Sequence, residues 1–167
     1  VCSSDLQKLD LGDVTAMSRR FDVPTYFGEA AAWNVEKLVN VAAATGPHSV
    51  DETLALDARA DVEGHPDAII GGIPPTESVA EAVTLIDRQM SAARFRGVRP
   101  MGVQAEPLPA GEVLRALQER GLLFELMAHP DQLQAAAATL GGFDDLVVVV
   151  EHADVAGVVP AVVIECL

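Results

Sequence analysis

Short apolar runs alternate with longer helical segments along most of this chain, and this alternation constrains the fold more than any other feature of the sequence. The runs are rich in valine, leucine and isoleucine, as is typical of strands in a buried parallel sheet. Such strands, separated by helical segments, indicate βαβ units. The predicted strands cover 36–44, 67–75, 96–101, 122–130 and 146–153, and the predicted helices cover 49–64, 77–95, 110–121 and 131–143.

The predicted helix ends carry their own sequence signals. Ser49 and Glu52 have the spacing of a capping box, and Gly64 and Gly121 stand where a left-handed residue closes a helix. The first 35 residues predict a loop followed by a short helix near Trp33, whose side chain we expect to anchor the core.

Consecutive parallel strands of this kind allow two α/β architectures. One is part of an eight-stranded (β/α) TIM barrel, and the alternative is an open doubly wound parallel sheet. The chain of 167 residues has the length of one domain. No predicted strand is followed by a glycine-rich phosphate turn, because "IGGIPP" lacks the required spacing. The sequence therefore argues against the nucleotide-binding form of the doubly wound sheet.

Polar residues interrupt the apolar strands at alternate positions. Successive side chains of a strand point to opposite faces, so these polar residues share one face of each strand. Glu125 and His129 share one face of the fourth predicted strand, Arg99 lies on the third, and Asn40 interrupts the first. His152 shares a face with Val148 and Val150 on the last. A barrel explains these positions if the polar-bearing faces line the lumen. Arg99, His129 and His152 would then surround the carboxyl-terminal mouth, where the active sites of barrels lie.

Each of these residues also has a plain structural interpretation. A histidine at a strand end, such as His129 or His152, is most often a solvated loop residue. His48 and His65 lie on loops that flank helices, and we expect both to be exposed to solvent. Arg99 has the alternative role of a surface arginine paired with Glu106. A buried carboxylate is costly without a partner, so we expect Glu125 to pair with Arg99 on the neighbouring strand.

The charge balance limits the possible partners. Acidic residues outnumber basic ones 25 to 11, and the formal net charge is −14. This field repels phosphate backbones and anionic lipids, so we expect neither a nucleic-acid nor a membrane partner. Cys2 and Cys166 suggest no disulfide framework, which fits a reduced cytoplasm. We expect a cytoplasmic protein with a small-molecule partner, and a homo-oligomer is compatible with the sequence.

Three segments carry a family resemblance. "RFRGVRPM", "LLFELMAHPDQL" and "LVVVVEHAD", in this order, resemble the amidohydrolase-related (amidohydrolase 2) family, and most of all its sugar-lactone and 2-pyrone-4,6-dicarboxylate lactonase branch. "AAWNVEKLVNVAAA" and "DETLALDARADVEGHPDAIIGGI" are similar to the family's second strand, following helix and third strand. The resemblance covers about residues 26–154 and implies a hydrolase that opens a lactone or a related cyclic ester or amide.

The resemblance also implies roles for individual residues. His152 matches a catalytic histidine that binds the metal or the hydrolysed carbonyl, and His129 matches a catalytic position at a strand end. Arg99 matches an arginine that holds an anionic substrate. We assign Glu125 to the same substrate-binding site, because the residues themselves predict that it pairs with Arg99. A divalent metal, most simply zinc, is the implied cofactor, and an aspartate outside this chain would activate water. Alternatives are a non-oxidative decarboxylase of the same barrel family and a non-catalytic α/β binding module.

The chain departs from the family at both ends. The family's first strand carries an H-x-H metal-ligand pair, and this sequence contains none. The resemblance therefore implies a single incomplete barrel domain over residues 1–167, with about strands two to six of the barrel. We expect residues 1–25 to be a poorly defined, non-native start of this domain and residues 155–167 to be its divergent end. We expect such a fragment to be inactive alone and to expose sheet edges.

Overall fold

The computed structural model describes residues 21–42, 48–74, 76, 78–100 and 108–151. The helices are α1 (Val23–Glu29), α2 (Ser49–Glu63), α3 (Val79–Gln89), α4 (Gly111–Glu119) and α5 (Leu133–Leu140). The strands are β1 (Val39–Val41), β2 (Ala68–Ile73), β3 (Phe95–Pro100), β4 (Leu123–Met127) and β5 (Val148–Glu151). Among these residues no helix combines the length and the apolarity that crossing a bilayer requires.

The strands form one five-stranded parallel sheet, in the spatial order β1-β2-β3-β4-β5, and the sheet is curled like half of a barrel. The strands stand in the sheet in the same order as in the chain. Each connection between described strands therefore leads to the neighbouring strand, always toward the same side of the sheet. The prediction of an α/β fold with a parallel sheet is confirmed.

A register shift in β3 decides which side chains reach the helices. Ile69 pairs with Phe95, but the next residue of β2, Ile70, pairs with Gly97, so Arg96 is an extra residue. This bulge lets Phe95 and Val98 both point to the helix-packed face, although simple alternation would separate them.

The main core lies between the sheet and the helices α3, α4 and α5. Its centre is fully or almost fully buried and includes Ile86, Leu114, Leu117 and Phe124. Val148 and Val150 of β5 pack against the same cluster. We call the opposite side of the sheet, which carries Gly97, Arg99 and Glu125, the inner face.

The glycine helix stops are confirmed, but the capping box is wrong. Gly64 and Gly121 have φ angles of 80° and 62°, respectively, which L side chains rarely adopt. The residue before α2 is His48, and Ser49 is already helical and fully buried. The hydroxyl of Ser49 has no hydrogen-bond partner in the described part of the chain, so it caps nothing there.

Two other boundary predictions are also corrected. The helix predicted over 77–95 ends at Gln89, since the chain turns there and Phe95 already begins β3. The early short helix forms at Val23–Glu29, where the Asp22 carboxylate accepts the N–H of Thr25 as its N-cap. Trp33 follows this helix with 78% of its surface exposed, so its predicted role as a core anchor is wrong.

Candidate functional site

Arg99 lies on the inner face near the carboxyl end of β3. Its partner across the sheet is Gly72 of β2. Its Nη2 donates a hydrogen bond to the carbonyl oxygen of Ala42, which directly follows β1. Since β2 stands between β1 and β3, the side chain of Arg99 must cross β2 at Gly72. The guanidinium group therefore lies at the carboxyl ends of three neighbouring strands. The alternative partner Glu106 is outside the described residues.

Glu125 occupies the inner face of β4, next to Arg99 in the register. Gly97 pairs with Leu123 and Val98 with Phe124, so the next step along both strands places Arg99 beside Glu125. Only 6% of the surface of Glu125 is exposed, and its other strand neighbour is Val149. The sheet therefore brings a cation and a buried carboxylate to adjacent positions, and the ion pair between them stays a prediction.

His129 lies two residues beyond the end of β4. The strand stops at Met127, and the backbone N–H of His129 donates to Oε1 of Gln132, 2.9 Å away. This local turn leads into α5 and leaves His129 exposed. The strand predicted over 122–130 is therefore too long at this end, and His129 lies just beyond the carboxyl end of β4. The face that His129 was predicted to share with Glu125 stays a prediction.

The predicted position of His152 is outside the described residues, but its strand can be followed to Glu151. Val148 and Val150, which we assigned to the face of His152, pair with Phe124 and Leu126 on the helix-packed side. The inner face of β5 instead carries Val149, the partner of Glu125. The lumen-lining face that we expected for Val148 and Val150 is thus wrong, because the register with β4 turns them toward the helices.

Asn40 is also on the opposite face from the one we predicted. It pairs with Ile69, and Ile69 pairs with the core residue Phe95, so all three lie on the helix-packed side. Asn40 lines a cavity of about 330 Å³ between α1, α2 and β1, together with Tyr26 and Glu52.

His65 also lines this cavity, and Asp67 joins the start of β2 to the residues that precede β1 by accepting the backbone N–H of Leu38. Nδ1 of His65 lies 2.9 Å from the Asp67 carboxylate, and the His65 ring packs on Phe27 with 4.9 Å between centroids. The solvent-exposed loop role predicted for His65 is therefore wrong. The Leu38 backbone N–H, followed by His65 and Lys37, lowers the pKa of Asp67 to about 2.

A metal has no ligand set in the described part of the chain. No three His, Cys, Asp or Glu side chains there are grouped so that they could hold an ion. His152, the predicted ligand, is outside the described residues. The described residues therefore provide no site for the divalent metal that the resemblance implies, and this metal stays a prediction.

A buried polar network on the other face of β2 was not predicted. The Thr53 hydroxyl of α2 donates to Oε1 of Gln89 at 2.7 Å, and Nε2 of Gln89 donates to the carbonyl oxygen of Gly72 at 3.2 Å. Gln89 is fully buried and Thr53 nearly so. A Cβ at Gly71 would lie 1.9 Å from Oε1 of Gln89, so this network requires glycine there. The available signal was "GG" inside a strand, which marks close approach of another group.

Comparisons with known proteins assign no family to this chain. A scan of protein-family models, a search of curated proteins and a search of solved structures each found no match to it.

Proposed function

We propose that the five described strands are consecutive strands of an eight-stranded (β/α) barrel. The sequential strand order supports this, since right-handed crossovers in one direction put all helices on one face. A doubly wound sheet reverses its strand order at a switch point, and the described strands contain no such reversal. The curl of the sheet, with the core helices outside and Arg99 inside, agrees with a barrel wall.

We propose further that the complete protein is a hydrolase that opens a lactone, or a related cyclic ester or amide, bearing an anionic group. The observation that carries this proposal is the Arg99 guanidinium, near the carboxyl ends of β1, β2 and β3 and beside Glu125 on the inner face. Catalytic groups of barrel enzymes come from this end of the strands.

Arg99 suits the recognition of a carboxylate. A guanidinium offers a planar set of N–H donors that matches the two carboxylate oxygens. Its bond to the Ala42 carbonyl uses one of these donors and restrains the group. The net charge of −14 repels an anionic substrate at long range. That repulsion is screened beyond about 8 Å at physiological salt, so the local cation dominates once the substrate is in contact.

The proposed reaction is attack of water on the substrate carbonyl. The carbonyl carbon gains a bond to the water oxygen, its bond to the ring oxygen or nitrogen breaks, and a proton passes to that leaving atom. Arg99 would hold the anionic group, Glu125 would orient Arg99, and His129 and His152 would move protons. Water activation is proposed for an aspartate outside this chain.

The test is hydrolysis by the complete protein that contains these residues, with matched substrates. An anionic lactone and its neutral methyl ester are compared in the wild type, in Arg99→Met and in the control Arg96→Met. Arg96 is on the same strand, but its guanidinium donates to the carbonyls of Ala93 and Phe95 near the amino end. We expect Arg99→Met to raise KM for the anionic lactone by about 10- to 100-fold, corresponding to one charged contact.

The other outcomes are equally informative. Absence of turnover across a panel of lactones, esters and amides would reject the hydrolase. Carbon dioxide among the products would support the decarboxylase, and anion binding without turnover would support a binding module. An equal effect of Arg99→Met on the KM of the anionic and of the neutral substrate would show that Arg99 does not recognise the anionic group.

A further inference from the structure

We propose that Gln89 is a positioning residue for Arg99, acting through Gly72 from the opposite face of the sheet. This inference rests on the proposed anion-binding role of Arg99. Gln89 belongs to α3 and does not reach the inner face, so its effect has to pass through the backbone of β2.

The contacts that carry this inference converge on one peptide unit. Gly72 is the sheet partner of Arg99, and its carbonyl oxygen accepts from Nε2 of Gln89 at 3.2 Å. The side chain of Arg99 crosses β2 at this residue to reach Ala42. A displacement of Gly72 would therefore change the surface over which Arg99 lies.

Gln89 is itself held in place by two helices. Its Oε1 accepts from Thr53 of α2 at 2.7 Å, and its Nε2 also lies 3.4 Å from the Leu85 carbonyl of α3. Because the amide is fully buried, loss of one bond is not compensated by water. The orientation of the amide is thus restricted, and the bond to Gly72 has a defined direction.

The adjacent glycines make this arrangement possible on both faces. A Cβ at Gly71 would collide with the Gln89 amide. Side chains alternate along a strand, so a side chain at Gly72 would stand on the inner face, where Arg99 crosses. In "IGGIPP", Gly71 therefore leaves space for the side chain of Gln89 on the helix-packed face, and Gly72 leaves space for the side chain of Arg99 on the inner face.

The experiment measures oxalate binding and the ¹⁵N signal of the Arg99 Nε–H group in the full chain. Gln89→Met keeps the length of the side chain and removes the bond to Gly72. The matched control is Ile86→Val, an apolar substitution one turn earlier on α3 at an equally buried position. We expect Gln89→Met to weaken oxalate binding by about 5- to 10-fold and to shift the Arg99 signal, whereas Ile86→Val does neither.

The outcomes separate this inference from the proposed function. If Arg99→Met abolishes oxalate binding while Gln89→Met behaves like Ile86→Val, the positioning role is wrong and the anion site stands. If the wild type binds no oxalate, the anion site is wrong, and the Arg99 signal still decides whether Gln89 positions that side chain. An unchanged signal in Gln89→Met would overturn the inference in either case.

Discussion

At the scale of single residues, the glycines of β2 show how a missing side chain decides which groups can approach a strand. Gly71 leaves space for a fully buried amide, and the closest approach to a hypothetical Cβ there is 1.9 Å. Gly28 of α1, in contrast, has no atom within 4 Å of such a Cβ. The two glycines therefore predict opposite effects of the same substitution.

We predict that Gly71→Ala lowers the free energy of unfolding by about 1–3 kcal/mol, the usual cost of overpacking a core. Gly28→Ala should be neutral or stabilising by up to about 1 kcal/mol, because alanine favours the helix. Urea denaturation of both variants measures the difference. The double variant Gly71→Ala/Gln89→Ala should lose less stability than the sum of the losses in the two single variants, because the collision is absent without the Gln89 amide. Strict additivity of the two single effects would contradict the collision.

Asp67 predicts a dependence of stability on pH. Its pKa is about 2 in the folded chain, below the ordinary value of 3.8, because the Leu38 N–H, His65 and Lys37 favour the charged carboxylate. A depressed pKa stabilises the folded state above the unfolded pKa, and this stabilisation is lost as the pH falls from about 4 toward 2.

We therefore predict that Asp67→Asn unfolds at a lower urea concentration than the wild type at pH 7, and that the two midpoints converge between about pH 4 and pH 2. Asp131→Asn is the control, since Asp131 is exposed in the turn before α5. A difference between Asp67→Asn and the wild type that is constant down to pH 2 would refute the ionic origin of the effect.

At the scale of elements, one carboxylate joins α2 to the turn that follows α3. Asp57 accepts the backbone N–H groups of Ala93 and Arg94 at 2.9 and 3.1 Å, and it accepts Nη1 of Arg94 at 3.0 Å. Burial raises the pKa of Asp57, but these donors outweigh it and leave the pKa below its ordinary value. The contact ties α2 to the short segment between the end of α3 and the start of β3.

We predict that Asp57→Asn lowers the free energy of unfolding by about 1–3 kcal/mol, because an amide cannot accept all of these bonds. Asp61→Asn is a close control on the same helix, since Asp61 contacts Arg94 at 2.9 Å but is 71% exposed. Exposed pairs contribute little, so this variant should change stability by less than about 1 kcal/mol. Equal losses in the two variants, measured by urea denaturation, would contradict the role of the backbone contacts.

At the scale of the whole molecule, the sheet has two outer strands, β1 and β5, among the described residues. Val39, at the start of β1, and Val147, directly before β5, are 53% and 54% exposed. Unpaired strand edges with apolar side chains promote pairing between chains. We expect these edges to be the sites of self-association when residues 1–167 are expressed by themselves, since further barrel strands would otherwise pair with them.

We predict that the double variant Val39→Lys/Val147→Lys associates less than the wild type, because lysine at an edge opposes strand pairing. Sedimentation velocity over a range of protein concentrations measures this. The control is Val62→Lys on α2, which is 87% exposed and distant from both edge strands in the sequence. If the control reduces association as much as the edge variant does, the change in net charge explains the reduced association, and the strand edges do not.

The sequence by itself determined the element order and the parallel sheet. Strand-forming runs and helix-forming segments are local patterns, and Gly64 and Gly121 mark helix ends because the backbone there needs a positive φ. The same local patterns predicted that Arg99 and Glu125 interrupt apolar strands, and the register supports their adjacency.

Only the tertiary structure decided which face each residue occupies and which partners it meets. The bulge at Arg96 and the pairing of β4 with β5 set the faces of Phe95, Val148 and Val150, and such pairing depends on residues far apart in the chain. Asn40 was misassigned for the same reason. The bond from Arg99 to Ala42 spans 57 residues and that from Thr53 to Gln89 spans 36, so no local pattern contains them.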